Sequence, residues 1–553
     1  MSWCSLAASL SALAASPCLT TLCIVFLLLK PVNHPSVPLN TGTSLSLALG
    51  VLALRSSNNC LAFSQFIASL MLSPAISFSF IHTKSKFSIS SITLHLALLS
   101  LEIPLILRQN EGVVQVSGVG DQEWVSGEIV PAATYSIDSI DSNQLASNSP
   151  TEDKLASARC LHTTGYLFGV FDGHGGPECS QVVAKRLFDY VAASLLPRAE
   201  LRRVVSEWKA GCPVPLTMVY NDPSQFVSEL QEIYEASLMR YCDNLLNSIT
   251  QDFSMEEALI GAFLQLDSDL SREVLENQHS SVLEPLLRVA VSGSVACVAH
   301  VDGPHLHIAN AGDCGAVLGI QRQGARGGWQ ALRLTNDHSW ENSSEVDRVL
   351  SEHPPSEADY VVRNQRLLGM LMPFRAFGDF RFKWDRDTQV NVIQRYAGPN
   401  NIIPHCLTPP YLTALPEVTY HRLRPYDKFL LMASDGLWEC MSALNSVTLI
   451  GEYMSGRQTL QPVRFPRQAI TLREIAHLLE QRQKGLSLKP VDTNASTHLI
   501  RHALGGSDAG LDHARLSHSL TLPPEVRRYF RDDISIHVIF FDSNFLRVCP
   551  VEI

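Results

Sequence analysis

The stretch YLFGVFDGHGG, Tyr166 to Gly176, joins a short apolar run to an acid and a glycine-rich turn. An apolar run of six residues that stops at Asp-Gly predicts a buried strand ending in a tight turn. Beyond the turn, Val183, Leu187, Val191 and Leu195 recur every four residues, which predicts a helix with one face on a core. Downstream, VACVAHV and PHLHIANAG flank Asp302-Gly303, a strong antiparallel hairpin signal. GAVLGI (Gly315–Ile320), KFLLMA (Lys428–Ala433) and ISIHVIFF (Ile534–Phe541) predict three further buried strands. Leu201–Glu256, Lys383–Leu412 and Gly456–Pro524 read as polar insertions, the last with a helical patch, LREIAHLLEQRQK.

An aspartate stands where each of four strands meets a turn: Asp172, Asp313, Asp435 and Asp532. One Asp-Gly is an ordinary turn signal, and a turn is the ordinary reading of any one of the four. Four at strand termini are different, because such termini can share one rim of a sheet. Carboxylates collected there repel one another unless a divalent cation neutralises them. Oxygen-only donors suit Mg²⁺ or Mn²⁺ better than zinc.

Composition agrees with an acidic globular body carrying an unusual N-terminus. The chain has 553 residues, 43 Lys plus Arg and 54 Asp plus Glu, a net charge of −11. Only Lys30, Arg55, Lys84 and Lys86 are charged before Glu102, so the rest carries −15 once these four cations are subtracted. That balance excludes a general nucleic-acid binder, which needs Lys and Arg for phosphate. The 13 Cys contain no CxxC pair, so neither a zinc ribbon nor a disulfide scaffold is indicated. Residues 1–110 form an apolar, acid-poor segment, and Trp3–Leu29 is uncharged and long enough to span a bilayer. It reads equally as a membrane anchor, as an organelle transit peptide rich in Ser and free of acids, or as a wrongly joined first exon. Residues 111–135 read as a linker, 136–544 as the catalytic domain and 545–553 as a tail.

Five motifs stand in a fixed order: LFGVFDGHGG, GD at Gly312-Asp313, FRAFGD at Phe374–Asp379, SDGLWE at Ser434–Glu439, and RDDIS at Arg531–Ser535. The ordered set resembles the metal-dependent serine/threonine phosphatases of type 2C. Longer stretches, RLLGMLMPFRAFGDFRFKW and THLIRHALG among them, resemble the branch that acts on mitochondrial pyruvate dehydrogenase. The likeness runs from about Ser136 to Asn544. It implies an α+β fold, a central antiparallel β-sandwich with helices on both sides, and two or three Mg²⁺ or Mn²⁺ ions at one end.

Carried over position by position, the resemblance implies that Asp172 bridges two metals with the Gly173 carbonyl as a further ligand. Asp435 and Asp532 complete their shells, Glu152 and Asp153 form an acidic pair held partly through water, and Asp313 and Glu439 serve a third, weaker site. A metal-activated water then attacks phosphorus in line, with His174 as general acid. No catalytic Cys is needed, which leaves Cys179, Cys314 and Cys440 incidental. Two positions depart from the family: Asn148 stands where many members carry a phosphate-gripping Arg, and Gly315 stands where an Arg usually follows. The branch further implies a mitochondrial matrix location, the phosphorylated E1α subunit of pyruvate dehydrogenase as substrate, docking on the lipoyl domains of the E2 core, and a regulatory subunit. Two other readings stay open: a phosphoprotein-binding pseudophosphatase, and a membrane-tethered phosphatase of different substrate. Retention of Asp172, Asp435 and Asp532 speaks against the first.

Overall fold

The computed structural model describes residues 112–114, 136–212, 214–220, 228–248, 253–322, 328–398, 401–460, 471–487, 490–507 and 510–549. The segment Trp3–Leu29, with the three readings attached to it, lies outside the described residues. Among the described residues no helix is long and apolar enough to cross a membrane.

The strands, in chain order, are β1 (Gly112–Val114), β2 (Ile137–Leu145), β3 (Lys154–Cys160), β4 (Tyr166–His174), β5 (Thr217–Tyr220), β6 (Gly293–Asp302), β7 (His305–Ala311), β8 (Gly315–Gln321) and β9 (Trp329–Arg333). They continue as β10 (Val362–Arg363), β11 (Arg366–Leu367), β12 (Phe377–Gly378), β13 (Glu417–Arg422), β14 (Asp427–Ala433), β15 (Gly506–Ser507), β16 (Gly510–Leu511) and β17 (Ile534–Phe541). One sheet runs β1-β2-β17-β14-β8-β9 and the other β13-β7-β6-β4-β3-β5, with β12 also on β6. Every pairing within both sheets is antiparallel. The Asp302-Gly303 turn closes the β6–β7 hairpin as its sequence predicts, with Asp302 opposite His305.

Strand alternation explains why the two sheets stack. Along β4, Tyr166, Phe168 and Val170 join the cluster between the sheets, with Val295, Cys297, Ile308, Leu318, Leu430, Met432 and Ile539. Leu167 and Phe171 point the other way, into a cluster with the helices α1 (Glu178–Leu195), α2 (Arg198–Lys209), α3 (Ser228–Asn247), α4 (Met255–Glu276) and α5 (Leu283–Val291). A third cluster packs α6 (Ala443–Leu460) and α7 (Ala495–Gly505) on the outer face of the other sheet, through Phe429, Leu431, Ile534 and Ile536. The layers are therefore helix, sheet, sheet, helix, the expected α+β sandwich.

Leu201–Glu256 is more than a polar insertion: it supplies α2, β5 and α3, whose Val204, Val205, Tyr241 and Cys242 are buried in the helix-side core. Its apolar residues are spaced on one face between charges, which averages to a polar composition. Lys383–Leu412 likewise contributes Ile403, Cys406, Tyr411 and Leu412 to a small separate core with Val349, Leu367 and Phe374. The expected helix near LREIAHLLEQRQK spans Leu472–Ser487. Ser543–Val548 is a short helix whose Leu546 is buried between the sheets, so the boundary read at Asn544 falls inside it.

Candidate active site

Antiparallel register gathers the predicted aspartates at one rim. Ala433, at the end of β14, pairs with Gly315 at the start of β8 and with Ile536 near the start of β17. Asp435 follows the first, Asp313 precedes the second and Asp532 precedes the third, so all three belong to the same end of one sheet. Asp313 and Asp532 precede their strands where Asp435 follows one, and antiparallel order makes those ends coincide. On the facing sheet, Asp172 has the parity of Phe168 and Val170, which face the gap between the sheets. The loop 146–153 crosses from β2 to β3 and carries Asn148, Glu152 and Asp153 across the rim.

That loop is pinned by a residue the sequence reading left without a role. Asp533, 2% exposed, accepts from the backbone N–H groups of Ser147, Asn148 (2.8 Å) and Glu152 (2.8 Å) and from Thr151 Oγ1 (2.9 Å). Its signal was only the doubled acid in RDDIS. Asn148 also directs its Nδ2 to Asp533 Oδ2 at 3.4 Å. Glu152 accepts from Gly176 N at 2.7 Å, tying the loop to the DGHGG turn. Arg528 places its Nη2 4.0 Å from Glu152, with its side chain 64% exposed.

The electrostatics are those of carboxylates without internal cations. Burial, then Asp435, Asp153 and Asp313, push Asp172 well above the usual carboxylate range. Burial, then Asp313 and Asp532, do the same to Asp435. Burial and Asp533 raise Asp153 to about 7, and burial raises Asp313 to about 6. Glu439, at the exposed end of the same turn, is raised by burial and by Asp532.

These residues fit the divalent ions that the resemblance implies. The donors are all oxygens, and Asp153 Oδ2 is buried with no hydrogen-bond partner. Among the described residues no three His, Cys, Asp or Glu side chains already form a closed cage.

His174 ends β4 and hydrogen-bonds through Nε2 to Asp379 Oδ2. Asp379 closes the FRAFGD motif and is 1% exposed. Cys179 and Cys314 are fully buried, and burial first, with Asp172 second for Cys314, pushes that thiol up and away from its nucleophilic form. Gly315, the second departure, has a physical reason. A Cβ there would stand 2.5 Å from Nε1 of Trp438, whose indole fills that space and donates to the Ala433 carbonyl at 3.0 Å.

The family model described as Protein phosphatase 2C matches residues 210–476. A mitochondrial [pyruvate dehydrogenase [acetyl-transferring]]-phosphatase 1 of Pongo abelii is 48% identical over 425 residues, 74% of this chain and 78% of the relative. The human mitochondrial phosphatase 2 of that name is 43% identical over 416 residues, covering 73% and 78%. A protein phosphatase 2C homologue of Schizosaccharomyces pombe is 33% identical over 418 residues, covering 73% and 81%. Identity of that extent, on a four-layer sandwich whose acidic strand ends meet at one rim, establishes that the chain belongs to the protein phosphatase 2C family of protein phosphatases.

Proposed function

We propose that this phosphatase is Mg²⁺- or Mn²⁺-dependent and dephosphorylates a serine of the E1α subunit of pyruvate dehydrogenase in mitochondria, reactivating that enzyme. What carries the reading is the 48% identity, over about three quarters of the chain, to a relative named for that reaction. Docking on the lipoyl domains of the E2 core, a regulatory subunit and a matrix location belong to the same proposal.

In this reading Asp172, Gly173, Asp435 and Asp532 hold two ions, with Glu152 and Asp153 bound partly through water and Asp313 and Glu439 at a third position. Bound there, the ions supply a water acidified enough to attack phosphorus and neutralise the charge of an in-line displacement. The protein does the rest. Asp533 fixes the Asn148–Asp153 loop so that Glu152 and Asp153 meet the rim carboxylates. Asn148 offers the phosphate an amide donor in place of a guanidinium fork. His174 protonates the departing serine oxygen, which is otherwise a strongly basic alkoxide.

The test is release of phosphate from phosphorylated E1α with Mn²⁺ or Mg²⁺ against a chelator. Turnover is expected only with metal, and Asp172→Asn is expected to lower kcat by at least about 10³-fold. Metal-independent binding of phospho-E1α with no turnover by the unaltered chain would sink the proposal.

A further inference from the structure

We propose that Asp379 is the positioning residue for His174: a buried carboxylate that sets the imidazole's orientation and tautomer for proton delivery to the leaving oxygen. The inference rests on the role of His174 given above and adds a residue to it.

The pair is built by strand register. Gly293 opens β6 and pairs with His174 of β4 on one side and with Gly378 of β12 on the other. His174 and the residue after Gly378 therefore approach each other across a single β6 position. A Cβ at Gly293 would overlap both His174 Nε2 and Asp379 Oδ2, so only glycine lets the two side chains meet there.

The carboxylate is held in place at some cost. Gly378 and Asp379 both have left-handed backbone, φ 69° and 49°, the second at a residue with a Cβ. Strain of that kind persists where the surroundings over-determine it. Asp379 N donates to the Ser292 carbonyl at 2.9 Å, and Gly378 N donates to Asp267 Oδ1 at 3.0 Å. Lys383 locks Asp267 in turn, donating to both its oxygens and to the Ala376 carbonyl, each at 2.8 Å. Lys383 and Asp267 are themselves largely buried, with side chains 7% and 13% exposed.

The division of labour follows from the ring's two nitrogens. With Nε2–H donating to Asp379, Nδ1 is the nitrogen left to give its proton to the substrate oxygen. The O–P bond breaks as that oxygen takes the Nδ1 proton, and water from solvent reprotonates the ring. Asp379 touches no reacting atom. A similar carboxylate orients the histidine of hydrolytic triads.

The experiment compares phenyl phosphate, whose phenolate has a pKa of about 10, with para-nitrophenyl phosphate, whose leaving group is a weaker base and needs less protonation. Both are assayed with Mn²⁺ on the full chain. His174→Gln is expected to lower kcat about 100-fold on phenyl phosphate and far less on the nitro compound. Asp379→Asn is expected to reproduce that pattern at about 10- to 30-fold with KM unchanged, and Gly293→Ala to follow it. The ratio of the two rates is taken within one preparation, so a misfolded fraction cancels. Equal losses on both substrates, no loss, or a change confined to KM would overturn the positioning role while leaving His174 as the acid. Absence of leaving-group dependence in His174→Gln would overturn both.

Discussion

Two kinds of buried carboxylate occupy this protein, and they are built oppositely. In the helical layer Glu273, 2% exposed, receives both terminal nitrogens of Arg186 and the hydroxyl of Ser237 at 2.6–2.9 Å. Asp492 is held the same way by Arg501, at 2.8 Å to each oxygen. Glu345 takes a fork from Arg375, again at 2.8 Å. At the rim, Asp172, Asp435, Asp153 and Asp313 face mainly one another. The first set carries its own cations and is electrostatically finished. The second is left with charge that nothing within the chain pairs off; in the proposed reading a divalent metal would neutralise it, and without metal the cluster costs the fold stability.

The largest effect expected from breaking this contrast is on the finished side. Arg186→Met strands the Glu273 carboxylate in the core and is expected to cost about 3–5 kcal/mol in denaturant unfolding. The leaving-group ratio of the folded enzyme should not change. A loss below about 1 kcal/mol would mean that the pair is no more than a break-even burial. On the rim the sign reverses. Asp172→Asn removes a charge from a like-charged cluster and is expected to raise the metal-free melting temperature by a few degrees. A lower melting temperature would show that the rim carboxylates are already compensated within the chain.

A smaller effect is expected from pH, and here the two sets move in opposite directions. Burial pushes Glu345 and Asp492 up, but the guanidinium hydrogen bonds outweigh it and hold both at about 2. Groups so depressed contribute stability that is full above their unfolded values, about 4, and is lost as pH falls toward 2. Asp153 and Asp313 are raised, to about 7 and about 6. Groups so raised contribute stability that is full below about 4 and is lost as pH rises toward 7. Metal-free melting temperatures should therefore fall between pH 4 and 7, with Mn²⁺ restoring them most at the upper end. A flat metal-free profile across that window would contradict the reading of the rim.

How much of this was legible beforehand follows the same division. The strand ending at Asp172 and the hairpin at Asp302-Gly303 announce themselves because local turn chemistry and apolar runs coincide. β3, with its Lys-Leu-Ala-Ser-Ala-Arg-Cys, has no such run and shows as a strand only through its partners β4 and β5. Asp379 was visible as the last letter of FRAFGD but not as the partner of His174, since 205 residues separate them. Asp533 was masked by its neighbour, because nothing local tells which of two adjacent acids turns inward.

The sequence by itself determined which residue types stand at strand termini, and with them the family and the oxygen-rich character of the site. Spacing along one chain is enough for that, because turns and strand periodicity are short-range. Only the tertiary structure decided which acids face one another and which face an arginine, that Asp533 pins the loop, and that Gly293 lets His174 reach Asp379. Those facts depend on cross-strand register and on the space left by a missing side chain, and neither is written locally.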